Sequence, residues 1–194
     1  MTFSLNEERK KAFSTVETGE YKVILEKCTL ENNKEKEGFI GNRYDCIFKI
    51  IEGKNVNSTF KVLFNRKNKN EKVVAGSLNS LVVLTKVIAS QNTGDNQLRM
   101  LASKIYKDQF TSMDDAFESI AGKSVLEQKP FTVFVTMKES KYTDATTGEL
   151  RDGLPSYNLT LTKLVENQAD EVLKKFITPK ETDNKVLLDD SIPI

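Results

Sequence analysis

Arg43-Tyr44-Asp45-Cys46-Ile47-Phe48-Lys49-Ile50-Ile51-Glu52 interleaves two sets of side chains, Tyr44, Cys46, Phe48 and Ile50 against Asp45, Ile47, Lys49 and Ile51. A period of two is that of a β-strand with one face turned to a core. Glu52-Gly53-Lys54-Asn55 is turn chemistry, and Thr59 to Asn65 resumes the alternation with Phe60, Val62 and Phe64 together. Upstream, Gly19 opens a strand at Tyr21 to Cys28, separated from Arg43 by the charged segment Asn32 to Asn42. Three strands joined in this way predict an antiparallel meander. The period then changes. Val73 to Ala89 is apolar at helical spacing, and Gln97 to Phe110 and Met113 to Ala121 are two further helical stretches. Thr111 or Ser112 can cap the last of these, with Asp114 and Asp115 in its first turn and Gly122 at its end. After Pro130, Phe131, Val133, Val135 and Met137 restore the period of two. A fifth strand is predicted from Tyr157 to Val165, beyond the polar loop Glu139 to Pro155, and a short helix from Asn167 to Ile177.

The predicted class is therefore mainly β with helices, α+β: five strands with a helical insertion between the third and fourth. That is the element order of the OB-fold, a partly open barrel whose ligand face lies on strands 2 and 3 beside the loops joining strands 1–2 and 4–5. Other five-stranded barrels and α+β sheets share the order. Residues 1–18 are expected as an N-terminal arm, 19–166 as the OB-fold-like body, and 167–194 as a short helix followed by a disordered acidic tail.

Composition narrows the chemistry. The 194 residues contain no histidine, which removes most catalytic triads, imidazole bases and zinc sites. Met1 to Lys11 is charged and lacks an apolar core, so no leader peptide is expected. No apolar run approaches the roughly 18 residues of a membrane span. Two cysteines, Cys28 and Cys46, are expected as reduced core thiols in a cytoplasmic protein. Ala121-Gly122-Lys123-Ser124 imitates the end of a phosphate-binding loop, but position 117 is Phe where that motif needs glycine, and no cofactor is expected. Asp114 with Asp115, and Asp144 with Asp152, could bind a divalent metal for nuclease chemistry, and the helix dipole already accounts for the first pair. No enzyme is expected.

The net charge of +1 conceals a polarity. Tyr21 to Lys72 holds twelve basic residues against seven acidic ones, while Glu181 to Ile194 holds four acidic residues against Lys185 alone. Around strands 2 and 3, Arg43, Tyr44, Lys49, Lys61, Phe64, Arg66, Lys67 and Lys69 mix cations with rings. Single-stranded nucleic acid asks for that mixture, cations for phosphates and flat rings for bases. The same alternation assigns Phe48 and Phe60 to the core, whereas Tyr44 and Phe64, near strand ends, stay candidates. Phe39 in the first long loop, and Lys138, Lys141, Tyr142 and Arg151 in the second, repeat the combination.

The chain ends Leu187-Leu188-Asp189-Asp190-Ser191-Ile192-Pro193-Ile194. This resembles the tip of bacterial single-stranded DNA-binding proteins, Asp-Asp-Asp-Ile-Pro-Phe: Asp189, Asp190, Ile192 and Pro193 match, with Ser191 and Ile194 substituted. Such a tip can dock as a peptide, its apolar end in a pocket and its carboxylates on basic side chains. Thr18-Gly19-Glu20-Tyr21, Ile50-Ile51-Glu52-Gly53 and the Gly122 element resemble phage single-stranded DNA-binding proteins of replication and recombination modules; a second glycine expected after Gly53 is Asn57 here. The resemblance implies sequence-independent binding of single-stranded DNA in the cytoplasm of a bacterial host cell. It also implies a tip (Asp189, Asp190, Ile192, Pro193, Ile194) that recruits replication or recombination proteins or occupies the basic face. Single domains of this fold often assemble, which makes a homo-oligomer a candidate. The alternative is an OB-like adaptor that binds protein and not DNA.

Overall fold

A computed structural model describes residues 16–33, 41–68, 70 and 72–177. Its body is α+β: strands β1 (Gly19–Asn33), β2 (Gly41–Ile50), β3 (Thr59–Asn65), β4 (Pro130–Lys138) and β7 (Ser156–Leu159) form one antiparallel sheet in the order β3-β2-β1-β4-β7. A separate hairpin pairs β5 (Lys141–Thr143) with β6 (Leu150–Asp152). Among the described residues four helices accompany them: α1 (Ala75–Gln91), α2 (Asn96–Tyr106), α3 (Met113–Ile120) and α4 (Lys163–Ile177). Among the described residues no helix is long and apolar enough to cross a membrane. The expected arm lies almost wholly, and the acidic tail wholly, outside the described residues.

β1 pairs with two neighbours. Gly19 to Ile24 faces β4, while Val23 to Asn33 faces β2. The register slips between Leu25 and Lys27, leaving Glu26 as an unpaired extra residue, a β-bulge. The following turn braces the bulge: Gln128 N donates to Leu25 O at 2.8 Å, Gln128 Nε2 to Glu26 O at 3.0 Å, and Cys28 N to Glu127 Oε1 at 2.9 Å. A bulge bends a strand and sharpens its twist. The edge strands β3 and β7 lie beside each other, yet no ladder pairs them among the described residues, so the sheet is not a hydrogen-bonded closed barrel. Side chains bridge that seam instead, Phe60 of β3 meeting Tyr157 of β7 at 5.6 Å between ring centroids.

The inner face is continuous. Val23 and Leu25, Tyr44 to Ile50 at even positions, Phe60, Val62 and Phe64, and Phe131, Val133 and Val135 are all buried. Phe48 stacks on Phe60 at 5.4 Å and meets the edge of Phe131 at 6.2 Å; each such ring, fully buried, contributes about 1.5–3 kcal/mol. α1 buries Leu81, Leu84, Val87 and Ile88, and its end is fastened to β4. There Thr132 N donates to Gln91 Oε1 at 2.7 Å and Gln91 Nε2 to Thr132 O at 3.1 Å. Asp95 caps α2 and Ser112 caps α3, each accepting a backbone N–H. In the β2–β3 turn Gly53 adopts φ +85 and Asn57 φ +70, so asparagine, which tolerates the left-handed region, stands where a second glycine is expected.

Three expectations need correction. The fifth strand stops at Leu159, and α4 starts at Lys163, because Thr162 accepts the Glu166 N–H at 3.0 Å and starts a helix. Leu161, Val165, Ala169, Leu173 and Ile177 recur every four residues and line its packed side. The polar loop Glu139 to Pro155 contains the β5–β6 hairpin. Cys28 and Cys46, expected as reduced thiols, are directly opposed across β1 and β2, with Cα atoms 4.2 Å apart, and are joined in a disulfide.

α4 is tied to the body by a buried ion cluster. Lys86 Nζ of α1 donates to Glu166 Oε1 at 2.6 Å, lies 3.2 Å from Asp170 Oδ1, and sits 5.0 Å over the Tyr106 ring, whose hydroxyl donates to Asp170. Burial and Asp170 both push the Tyr106 phenol well above its ordinary range. Removing one partner of a buried pair costs about 3 kcal/mol or more, because the other charge is stranded. Lys86→Met is therefore expected to lower the urea-unfolding free energy by about 3 kcal/mol, with part of the loss restored when Glu166→Gln and Asp170→Asn are added. An unchanged midpoint in the single variant would show that the cluster does not hold α4.

Candidate nucleic-acid interface

Alternation separates what the sequence interleaves. On β2 and β3 the rings occupy even positions, 44, 48, 60 and 64, and the cations odd ones, 43, 49 and 61. A strand sends odd and even positions to opposite faces, so the rings go inward and the cations outward. Tyr44 is 1% exposed and Phe64 4%, and neither offers a ring to a ligand. The Tyr44 hydroxyl instead donates to Glu118 Oε2 of α3 at 3.1 Å and its ring stacks on Phe117; burial first, then the Glu118 charge, pushes the phenol up to about 12.

The outer face of β1–β3 carries Lys49, Ile47, Asp45 and Arg43 on β2, Lys61 and Leu63 on β3, and Lys27 on β1. Ile47 pairs in register with Lys27 on one side and Lys61 on the other, with Lys49 two residues along. Lys27 reaches this face only because of the bulge: strict alternation from Tyr21, Val23 and Leu25 would turn it inward. That is why the sequence pattern misses it. Among the described residues Lys27 and Lys49 have no carboxylate partner.

The other cations are already paired. Asp45 receives Arg43 Nε at 2.7 Å on one oxygen and Lys61 Nζ at 2.9 Å on the other. Burial opposes its ionisation, but the hydrogen bonds from Arg43 and Lys61 outweigh it and hold the carboxyl below the ordinary range. Arg66 Nε and Lys67 Nζ converge on Asp114 of α3 at 3.0 and 3.3 Å, and those bonds likewise overcome burial to keep Asp114 low. On the hairpin, Arg151 bonds Asp144 at 3.0 Å and stands opposite Tyr142, which is 47% exposed; Lys138 and Lys141 are exposed nearby. Asp144 also accepts the Thr146 and Thr147 N–H groups, which shape the hairpin turn. Phe39, Lys69 and the tip residues Asp189, Asp190, Ile192, Pro193 and Ile194 lie outside the described residues.

Two exposed rings were not anticipated, Phe176 near the end of α4 and Phe134 on β4. Phe134, 43% exposed, stands on the outer face of β4 between Thr132 and Thr136. Its signal in the sequence was an aromatic residue alternating with threonines on the polar side of a strand. The geometry as a whole offers a half-paired cationic face on β1–β3, with exposed rings elsewhere on β4 and on the hairpin. No protein-family model matches the chain, and no curated protein is significantly similar to it in sequence.

The Asp45 pairing has a measurable consequence without any ligand. A carboxyl held low in the folded state contributes stability that is fully present above its unfolded pKa, about 3.9 for Asp, and is lost as pH falls through the lower folded value. The thermal midpoint is expected to hold down to about pH 5 and to drop below pH 4, with a smaller drop in Asp45→Asn. Equal acid sensitivity in the two proteins would mean that the Asp45 pairs do not form.

Proposed function

We propose that the chain is a sequence-independent single-stranded DNA-binding protein, without enzymatic activity, of phage replication or recombination, working in the cytoplasm of a bacterial host. The sheet then reads as a partly open OB barrel. Its strand order β3-β2-β1-β4-β7, the helices between β3 and β4, and the approach of β7 to β3 all suit that architecture. The observation that carries the reading is the outer face of β1–β3, where Lys27, Lys49 and Lys61 surround Ile47, with Arg43 further along β2, on the strands that would bear the ligand surface of an OB-fold. Phosphates would lie along these lysines, and a strand long enough to run on past β4 could stack bases on the exposed rings of Phe134 and Tyr142. The tip ending at Ile194 would recruit replication or recombination proteins or compete with DNA for the face, and assembly into a homo-oligomer would multiply the sites.

A second reading, a protein-binding adaptor, is favoured by one specific observation. Arg43, Lys61, Arg66, Lys67 and Arg151 all have carboxylate partners, so much of the basic surface is neutralised internally.

Fluorescence anisotropy of labelled oligo-dT, run beside a duplex at two salt concentrations, separates the two. Salt-sensitive binding to the single strand with weak duplex binding is expected. Lys27→Gln with Lys49→Gln should weaken it on the order of tenfold and flatten the salt dependence by about 0.7 in log–log slope for each phosphate that the face no longer neutralises. Flat curves at low salt, with and without residues 187–194, would leave the adaptor.

A further inference from the structure

We infer that Asp45 is a built-in counter-anion that holds Lys61 in the free protein and surrenders it to a phosphate when single-stranded DNA binds. The inference rests on the function proposed above and assigns the regulation of that same face.

The argument starts from position. Asp45 stands on the outer face of β2, two residues from Arg43 along the strand, and Lys61 reaches it from β3, where it pairs in register with Ile47. One carboxylate oxygen bonds Arg43 Nε at 2.7 Å and the other bonds Lys61 Nζ at 2.9 Å. Each cation is thus held by one oxygen of a shared oxyanion, an arrangement a phosphate oxygen could take over for the cation that is free to move. The two cations differ in that freedom. The side chain of Lys61 is 51% exposed and that of Arg43 23%, while Asp45 is only 13% exposed.

Asp45 cannot swing into solvent, and its planar partner Arg43 is packed beside it. Lys61, a point charge on a flexible four-carbon stem, can leave. An ion pair exposed on the lysine side is weak, so releasing it costs little. When Lys61 turns to a phosphate, Asp45 keeps Arg43 and is not left as an unpaired, half-covered charge. Lys49 lies two strand positions from Ile47 and Lys27 directly across from it, so the released ammonium joins two cations that have no carboxylate partner among the described residues. The free face therefore carries less effective charge than the bound one, and Asp45 sets the difference.

A double-mutant cycle on labelled oligo-dT tests this. Asp45→Asn is expected to tighten binding several-fold at low salt while leaving the log–log salt slope nearly unchanged, because Lys61 neutralises a phosphate in the complex of either protein; a slope steeper by about 0.7 would mean that Lys61 stays on Asp45 in the parent complex and would overturn the inference. Lys61→Gln should cost clearly more affinity in the Asp45→Asn background than in the parent, because in the parent part of the lysine's contribution is spent breaking its pair. Two independent residues would instead give the same factor in both backgrounds. Equal factors, or no tightening by Asp45→Asn, would overturn the inference while leaving the binding function in place. Failure of the parent chain to bind the oligonucleotide would overturn the proposed function and this inference with it. Asp45→Ser, checked like each variant by its thermal melt, serves as the second probe should the asparagine variant not fold.

Discussion

The extra residue in β1 is the constraint from which the other features follow. One strand has to pair with β4 through its first third and with β2 through the rest, and a flat strand cannot serve two neighbours that diverge. Glu26 takes up the difference as a bulge, and the turn at Glu127 and Gln128 occupies the backbone groups that the broken register would leave unpaired. Bending β1 there brings the far edges of the sheet, β3 and β7, toward each other, so that Phe60 and Tyr157 can close the seam with side chains where the backbone does not. The bulge also exchanges the two faces of β1. Before it, odd positions point inward; after it, Cys28 and Leu30 do, and Lys27 turns outward beside Ile47.

Period two then sorts the chemistry. A strand whose even positions are aromatic and whose odd positions are basic is one segment in sequence but two surfaces in space, a stacked core and a charged exterior. Tyr44 and Phe64 belong to the first and Arg43, Lys49 and Lys61 to the second. Mixed ring-and-cation recognition on this chain therefore cannot come from β2 and β3 alone. It needs rings contributed from elsewhere; Phe134 on β4 and Tyr142 on the hairpin are exposed, but Phe134 pairs with Glu20, away from the Lys27–Ile47–Lys61 row.

Elements with a strong, uninterrupted period were legible in the sequence. β2 and β3 fall where their alternation places them, and the capping of α3 by Ser112 with Asp114 and Asp115 in its first turn is as its residues suggest. What stayed hidden depended on single residues or on tertiary partners. The bulge has no local signature, since Glu26 differs from its neighbours only in being unpaired. The start of α4 was masked because Leu159, Leu161 and Val165 satisfy a period of two and Leu161, Val165 and Ala169 a period of four; the Thr162 cap and the Lys86 cluster decide for the helix. The ion pairs of the candidate face were equally out of reach. Asp45 is two residues from Arg43, but its bond to Lys61 exists only once β3 is in register, and Asp114 meets Arg66 and Lys67 only when α3 packs on the end of β3.

Those pairings also reconcile a near-neutral chain with a cationic surface. If Arg43, Lys61, Arg66 and Lys67 all stood unpaired, the end of β2 and β3 would repel itself and attract any polyanion, duplex or single-stranded, without discrimination. Sharing one carboxylate between each two cations lowers the charge of each cluster while keeping both cations ordered. The two clusters differ in how readily they open. Arg66 is 17% exposed and Lys67 29%, and both are held against the first turn of α3, where a negative Asp114 also suits the helix dipole. Lys61 is half exposed on the outer strand face, where no ion pair but that to Asp45 holds it among the described residues. The Asp114 cluster is thus built to stay closed and fasten α3 to the sheet, whereas the Asp45 cluster, with the same composition, sits where exchanging one partner disturbs no packing.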